Sequence, residues 1–197
     1  MGPGQRVVVL VRHGETEWSK SGQHTGRIDI PLTERGRADA ALLQERLARY
    51  AFARVLTSPL SRALETCVIA GFGGQAEKRP DLMEWNYGQY EGKTSKEIFA
   101  GRPAWSMWRD GCPGGETAAD VGARVDRVLA EVATVQGNVG LFAHGHVLRV
   151  LTARWLGLSP EAGALLALST ASVSVLGYEH ANQVVWTWND VSHIEAR

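Results

Sequence analysis

The sequence predicts an α/β fold, a three-layer sandwich in which helices cover both faces of a mostly parallel central sheet. Two short runs, residues 7–11 and 139–143, are almost entirely apolar, and the first is rich in β-branched residues. Such runs are typical of strands that are buried on both faces, as strands of parallel sheets are. Segments with helical spacing alternate with them, and this order favours parallel strands joined by helical connections.

The helices are predicted from apolar spacing and from signals at their ends. Thr33 is expected to cap a helix over about 33–50, whose core-facing positions would be Gly36, Ala40, Leu43, Leu47 and Tyr50. Thr117 and Asp120 have the pattern of a capping box. A valine stripe with helical period follows at Val121, Val125, Val128, Val132 and Val135. A further helix over 147–156 is expected to end at Gly157.

The remaining chain is predicted to hold two later strands and one irregular insertion. The strands are expected over 165–178 and 183–188. The insertion, about residues 84–115, is rich in Gly, Trp and Tyr, with only a short helix expected around 95–100. Its aromatic content favours an ordered lid or pocket wall. Because 197 residues suffice for one well-buried core, residues 1–197 are expected to form a single domain that carries this insertion.

Composition and charge limit the classes of partner. The formal net charge is zero and no long basic run occurs, which argues against a nucleic-acid surface. No apolar stretch approaches the length of a membrane span, and residues 1–6 lack the apolar region of a signal peptide. We therefore expect a cytoplasmic protein with no membrane partner. Cys67 and Cys112 lack metal-type spacing and are expected to be reduced thiols. Association into homo-oligomers is left open.

Basic residues follow two of the predicted strands at the point where each strand ends. Arg12 and His13 follow the first apolar run, and His144 follows the run over 139–143. Each histidine precedes a glycine, which lets the backbone approach a ligand. Ligands of open α/β sheets bind at the carboxyl ends of the strands. We therefore expect these side chains to meet at one anion site.

A third segment is predicted to deliver another cation to the same site. Ser58 is expected to cap a helix and Pro59 to occupy its first position. Arg62 would then lie in the first helical turn, where the backbone dipole already favours anions. Guanidinium groups bind phosphate oxygens bidentately, so the anion that best matches two arginines and two histidines is phosphate.

The residue types suit covalent phosphoryl transfer. A neutral imidazole can attack phosphorus and form a phosphohistidine, while the surrounding cations stabilise the charge on the oxygens. The leaving alcohol needs a proton, and Glu84 is the best candidate for the acid, with Glu15 and Glu116 as rivals. An alternative is a metal site, in which His13, His144 and His146 would be neutral ligands joined by Glu84. Arginines would repel the cation, so no metal and no other cofactor is expected.

Four segments carry a family resemblance, in the family's order: residues 12–18, 58–62, 84–88 and 144–146. They resemble the histidine phosphatase superfamily, in the branch that includes cofactor-dependent phosphoglycerate mutases. The resemblance implies a phosphoglycerate mutase-like fold, with His13 as the nucleophile that becomes phosphorylated. It implies a phosphate pocket formed by Arg12, Arg62 and His144. It also implies that Glu84 is the proton donor.

The resemblance extends to residues that cradle the substrate, namely Thr25, Gly26 and the backbone at Gly145. Ser19 stands where the family commonly has Asn and has a shorter reach for the same contact. Tyr87 of the insertion is expected to shape specificity. A second phosphate could be held by surface cations, for which the candidates are Lys20, Arg27, Lys93 and Arg109.

The segment 16–26 resembles a subgroup of sugar-phosphate phosphatases. The insertion is shorter than that of mutases, whose longer insertion shields the phosphohistidine from water. These features imply a metal-independent phosphatase that hydrolyses a small phosphorylated metabolite, with a sugar phosphate or bisphosphate favoured. Two alternatives stay open. One is a cofactor-dependent phosphoglycerate mutase, and the other is a non-catalytic domain that recognises phosphate.

Overall fold

The computed structural model describes residues 6–195. Residues 1–5, which underlie the expectation about a signal peptide, lie outside the described residues, as do residues 196 and 197. Within the described range the strands form one six-stranded sheet of order β3-β2-β4-β1-β5-β6. Its strands are β1 (Val8–Arg12), β2 (Phe52–Thr57), β3 (Ala76–Lys78), β4 (Asn138–Ala143), β5 (Val173–Glu179) and β6 (Asn182–Asp190).

The register of the sheet aligns the carboxyl ends of its central strands. Strands β1 to β4 run parallel to one another, whereas β5 is antiparallel to β1 and β6 is antiparallel to β5. Arg12 on β1 lies opposite Ala143 on β4. Thr57 on β2 lies opposite Phe142. The residues that follow these three strands therefore emerge side by side at one edge of the sheet.

Helices cover both faces of the sheet, which confirms the predicted three-layer α/β class. Successive residues of β1 serve opposite faces, since Val8 and Leu10 belong to one apolar cluster while Val9 and Val11 belong to the other. Helices α6 and α7 contribute to the first cluster, and α2 and α3 to the second. The helices are α1 (Glu17–Ser21), α2 (Glu34–Leu47), α3 (Ser61–Ile69), α4 (Ser95–Gly101), α5 (Met107–Asp110), α6 (Ala118–Thr134), α7 (Gly145–Trp155) and α8 (Ser192–Glu195).

Most of the predicted helices form where the capping signals place them. Thr33 caps α2 by accepting from the Gly36 backbone N–H. Thr117 and Asp120 form the predicted capping box of α6, whose valine stripe is buried. Helix α7 begins at Gly145, two residues earlier than predicted. This earlier start brings the helix N-terminus directly to the end of β4.

Two local predictions are wrong. Ser58 does not cap α3, because the helix begins at Ser61 and the carboxylate of Asp29 accepts the Ser61 backbone N–H instead, with both oxygens at 3.0 Å. Residues 165–172 are not a strand, and β5 begins only at Val173. The carbonyl group of Leu168 in this segment accepts a hydrogen bond from Arg12, and so serves a side chain at the sheet edge.

The insertion over about residues 84–115 is ordered around its aromatic residues. Trp85, Tyr87 and Trp105 are buried in the cluster beneath α6 and α7, and the helix expected around 95–100 is present as α4. Cys67 and Cys112 are free, buried and assigned to the clusters on opposite faces of the sheet. None of the helices described between residues 6 and 195 is long and apolar enough to cross a membrane.

Candidate active site

His13 stands directly after β1 and has one ring nitrogen fixed by the backbone. Its Nδ1 lies 2.7 Å from the carbonyl oxygen of Gly14. Because a carbonyl can only accept, Nδ1 carries the proton, and Nε2 of the neutral ring holds a free electron pair. Burial, followed by the charges of Arg62 and Arg12, holds the pKa of His13 well below its ordinary value. The ring is therefore neutral at physiological pH, with the electron pair of Nε2 available.

His144, which follows β4, lies beside His13 and is held on both ring nitrogens. The two ring centroids are 5.1 Å apart. Arg62 donates from Nε to Nδ1 of His144 over 3.1 Å, so Nε2 of His144 carries the proton and faces the hydroxyl oxygen of Ser58 at 2.7 Å. Burial keeps the pKa of His144 well below its ordinary value. Ser58 thus orients a histidine rather than capping a helix.

Arg62 lies in the first turn of α3, as predicted, and is completely buried. Its guanidinium donates to three backbone carbonyls of one loop, those of Thr25, Gly26 and Ile28, at 2.8–3.2 Å. The side chain therefore connects His144 to the loop over residues 25–28.

Glu91 holds the same loop from the other side. Its Oε1 accepts from the backbone N–H groups of Arg27 and Tyr87, at 2.9 and 3.3 Å. Its Oε2 accepts from those of Gly26 and Ile28, at 3.1 and 3.4 Å. The loop thus gives carbonyls to Arg62 and N–H groups to Glu91. No local pattern indicates this function of Glu91, because the loop residues that it holds are 63 to 65 residues away.

Glu84 is buried at the N-terminus of α7. Its carboxylate accepts three backbone N–H bonds, from Trp85 and Val147 at 2.9 Å and from His146 at 3.0 Å. The last two donors belong to the first turn of the helix, where N–H groups lack helical partners. The rival carboxyls are engaged elsewhere, since Glu116 pairs with Arg124 at 2.8 Å and Glu15 accepts from Thr33 at 2.9 Å.

A pocket of about 240 Å³ opens at this edge of the sheet. Of the residues predicted for the site, seven line it: Arg12, His13, Ser19, Thr25, Glu84, Tyr87 and Gly145. Arg62 and His144 are fully buried and lie outside this lining, as does Gly26. Seven of the ten predicted residues thus line the pocket and three lie outside its lining, and the functions assigned to them stay predictions.

Gly145 and Gly26 are positions where a side chain has little or no space. A Cβ at Gly145 would lie 3.3 Å from the Arg12 guanidinium carbon. A Cβ at Gly26 would lie 2.0 Å from a carboxylate oxygen of Glu91. Ser19 lines the pocket, but its hydroxyl donates to the Thr16 carbonyl at 2.9 Å and accepts from the Thr16 N–H. This hydroxyl belongs to the capping box of α1.

The insertion contributes an aromatic wall. The Tyr87 hydroxyl lies 2.6 Å from Nδ1 of His146, and His146 packs against Trp108 with ring centroids 5.5 Å apart. His24 packs edge-on against Tyr87 at 4.8 Å. Burial raises the pKa of Tyr87 well above its ordinary value and lowers that of His146 well below its own.

The pocket also contains a residue that the sequence analysis missed. Arg149 of α7 lines it, four residues after Gly145, which is one helical turn further along the same face. That spacing was the available signal, but it needed the helix to begin at Gly145. The candidates for a second phosphate are not among the lining residues: Lys20, Arg27, Lys93 and Arg109. Arg109 instead pairs with Asp110 at 2.8 Å.

Metal-ligating side chains do not cluster here. Among residues 6–195 no group of three or more His, Cys, Asp or Glu side chains is arranged to hold a metal ion. The ring nitrogens of His144 are both occupied, by Arg62 and Ser58.

Fold and site together place the chain among the α/β enzymes that bear a histidine at the end of each of two neighbouring parallel strands. The family model described as histidine phosphatase superfamily (branch 1) matches residues 8–191. The chain belongs to this family. The predicted enzyme class, a phosphoric monoester hydrolase, is confirmed, because similar proteins of this family are phosphatases.

Three relatives illustrate the similarity. An acid phosphatase of Mycobacterium tuberculosis is 38% identical over 184 residues, 91% of this chain and 90% of the relative. Sedoheptulose 1,7-bisphosphatase of Saccharomyces cerevisiae is 36% identical over 185 residues, 78% of this chain and 68% of the relative. The solved structure of the product of open reading frame Rv3214 from M. tuberculosis superimposes with a TM-score of 0.89 at 35% identity, covering 93% of this chain and 97% of that one.

Proposed function

We propose that the protein is a metal-independent phosphatase that hydrolyses a small phosphorylated metabolite, a sugar phosphate or bisphosphate, through a phosphohistidine at His13. One observation carries the proposal. The Gly14 carbonyl holds the proton of His13 on Nδ1, which leaves the electron pair of Nε2 available beside Arg12 and Arg62. A neutral imidazole among buried cations is suited to attack a bound phosphate.

The first chemical step forms a bond between His13 Nε2 and phosphorus while the bond from phosphorus to the ester oxygen breaks. Glu84, in its carboxylic acid form, gives its proton to the departing alkoxide, which leaves as an alcohol. Arg12 is the cation of the pocket wall next to His13, and the buried Arg62 and His144 lie behind the wall. The charges of Arg12 and Arg62 stabilise the phosphoryl oxygens as negative charge redistributes.

The second step returns the enzyme to its starting state. Water attacks phosphorus, Glu84 as carboxylate takes a proton from that water, and the bond to Nε2 breaks. Inorganic phosphate leaves, and the His13 ring becomes neutral again. Glu84 lines the same pocket as His13, so one carboxyl group can serve both steps.

We further propose that residues 1–197 form one domain acting in the cytoplasm, with residues 84–115 as a lid over the site. Tyr87 and Ser95 of this segment line the pocket, which supports a lid that shapes specificity. The two buried thiols are free and belong to clusters on opposite sheet faces, which is in keeping with a reducing compartment.

The deciding experiment measures phosphate release from sugar phosphates, sugar bisphosphates and phosphoglycerates in the presence of EDTA. The test variant is His13→Asn. The control is His180→Asn, which changes an exposed histidine on the turn between β5 and β6. We expect EDTA-resistant release that is lost only in His13→Asn, together with acid-labile phosphate bound to the wild-type protein. Isomerised phosphoglycerate without release would indicate a mutase, and neither product would indicate a binding domain.

The function of Glu84 is tested by its dependence on the leaving group. Glu84→Gln removes the proton and keeps one oxygen, which can still accept from Trp85 and Val147, while the His146 N–H loses its acceptor. Hydrolysis of an alkyl phosphate is expected to slow by about 10²- to 10⁴-fold, the range of general acid catalysis. An activated aryl phosphate, whose leaving group needs no proton, is expected to lose far less. The control Glu116→Gln changes the carboxyl paired with Arg124. Equal losses on both substrates in Glu84→Gln would refute the proton-donor role.

A further inference from the structure

Arg149 is an arginine of the pocket for which the proposed reaction has no use. Arg12 lines the wall beside His13, and Arg62 supports His144 from below. Arg149 instead lines the pocket from the second turn of α7. A charged side chain that is partly desolvated and has no function in the reaction requires a separate explanation.

The Arg149 side chain is fixed in place by neutral partners. Its Nε donates to the carbonyl of Gly163 at 3.0 Å, and its Nη2 donates to that of Ala164 at 3.2 Å. The guanidinium carbon lies 4.7 Å from the ring centroid of Trp108. Among the side chains described between residues 6 and 194, no carboxylate forms an ion pair with Arg149 and no acceptor is hydrogen-bonded to its Nη1. The positive charge is therefore held in position without an ion-pair partner.

The position of Arg149 separates it from the reacting atoms. Gly145 and Arg149 both line the pocket and are one turn apart on α7, which corresponds to about 6 Å along the helix axis. Gly145 packs against the Arg12 guanidinium, next to the proposed nucleophile. The distance of one turn suits two anionic groups on one small substrate. Glu84, the carboxyl that lines the same pocket, already accepts three backbone N–H bonds.

Further polar side chains line the same pocket and can contact a hydroxylated substrate. They include Gln23, His24, Ser95 and His146. The surface cations considered from the sequence lie outside the lining, so Arg149 is the basic side chain placed to bind at this end.

We propose that Arg149 is a specificity-determining residue that binds a second anionic group of the substrate, a phosphate or a carboxylate, one helical turn beyond the reacting phosphate. This inference rests on the proposed function. It narrows the substrate class from small phosphorylated metabolites to those with an anionic group at each end.

The test compares matched substrates in Arg149→Met, which keeps an apolar stem against Trp108 but removes the charge. A sugar bisphosphate is compared with the corresponding monophosphate, and a phosphoglycerate with glycerol phosphate, so that the two arms separate phosphate from carboxylate. We expect kcat/KM for the doubly anionic partner of one pair or both to fall by about 10- to 100-fold, chiefly through KM, as for loss of charge-assisted hydrogen bonds. The singly anionic partners are expected to change by less than about 3-fold.

The matched control is Arg154→Met on the same helix, which removes the ion pair with Asp126 on the outer surface. In this control the ratio of kcat/KM between the doubly and the singly anionic substrate is expected to stay unchanged in both pairs. Circular dichroism and thermal unfolding verify that both variants fold. Equal losses on singly and doubly anionic substrates in Arg149→Met, or no loss on either, would overturn the inference while the phosphatase function stands. Phosphate release that survives His13→Asn would instead overturn the proposed function, so the two failures are distinguishable.

Discussion

Replacing Glu91 by Gln tests whether the loop over residues 25–28 positions Arg62. The two carboxylate oxygens each accept two backbone N–H groups. A glutamine has one oxygen and one NH₂ group, so it can keep only one of these pairs. In either orientation the NH₂ group faces two N–H donors, and those donors lose their acceptor.

The size of the effect follows from the bonds that are lost. Two hydrogen bonds at a net value of about 1 kcal/mol each give about 2 kcal/mol. If the whole of this free energy is lost from transition-state stabilisation because the loop no longer positions Arg62, kcat/KM falls by about 30-fold. About 1.4 kcal/mol corresponds to a factor of ten. The same loss lowers the midpoint of thermal unfolding by about 4–8 °C in a chain of this size.

The assay measures kcat/KM on an activated aryl phosphate and the inhibition constant of inorganic phosphate. Both depend on the phosphate end of the pocket and not on the rest of the substrate. The matched control is Glu97→Gln, which also changes a carboxylate that accepts a backbone N–H, that of Thr94 at 2.7 Å. A capping box accommodates Gln in place of Glu, so this variant is expected to resemble the wild type.

A folded Glu91→Gln protein that hydrolyses the aryl phosphate within about 2-fold of wild type would refute the reasoning. It would mean that Arg62 keeps its position through α3 and His144 alone. A lowered unfolding midpoint with unchanged phosphate inhibition would lead to the same conclusion, because the carboxylate would then stabilise the fold without positioning the site.

Further predictions concern pH and the glycine at position 26. Burial holds the pKa values of His13, His144 and His146 well below 6.5 in the folded chain, so the unfolded chain binds more protons as the pH falls. Their contribution to stability is present above about pH 6.5 and is lost as the pH falls, so the unfolding midpoint should decrease on acidification. The acid limb of kcat/KM, which reports the free enzyme, should likewise lie below about pH 6.5, and an apparent pKa above this value would contradict a neutral His13. Gly26→Ala should reduce kcat/KM by more than about tenfold, whereas Gly74→Ala, with nothing within 4 Å of the added Cβ, should not.

The fold could be predicted where local patterns and burial agree. The apolar runs that became β1 and β4, and the valine stripe of α6, needed no long-range information. Residues 165–172 were mistaken for a strand because apolar residues there suggest one. Backbone groups of this segment form hydrogen bonds with distant side chains, as when the Leu168 carbonyl accepts from Arg12. A local sequence pattern does not show such tertiary contacts.

The site was predictable to the extent that its residues follow strands. His13 and His144 meet because β1 and β4 are parallel neighbours in register. The connections made by Glu91 and Asp29 could not be predicted, since each carboxylate accepts from backbone N–H groups of a remote segment. Arg149 was missed for a different reason. Its place in the pocket depends on the start of α7, and the helix was predicted to begin two residues too late.

The hydrogen bond between His13 and the Gly14 carbonyl also has a consequence for how long a phosphorylated protein would persist. A carbonyl is neutral, so it does not compensate the positive charge that the ring acquires when Nε2 carries a phosphoryl group, as a carboxylate partner would. In the proposed reaction the ring therefore carries an uncompensated positive charge for as long as the phosphoryl group stays on Nε2, and it becomes neutral again when water removes that group. For the proposed intermediate, this arrangement favours discharge to water over storage of the phosphoryl group.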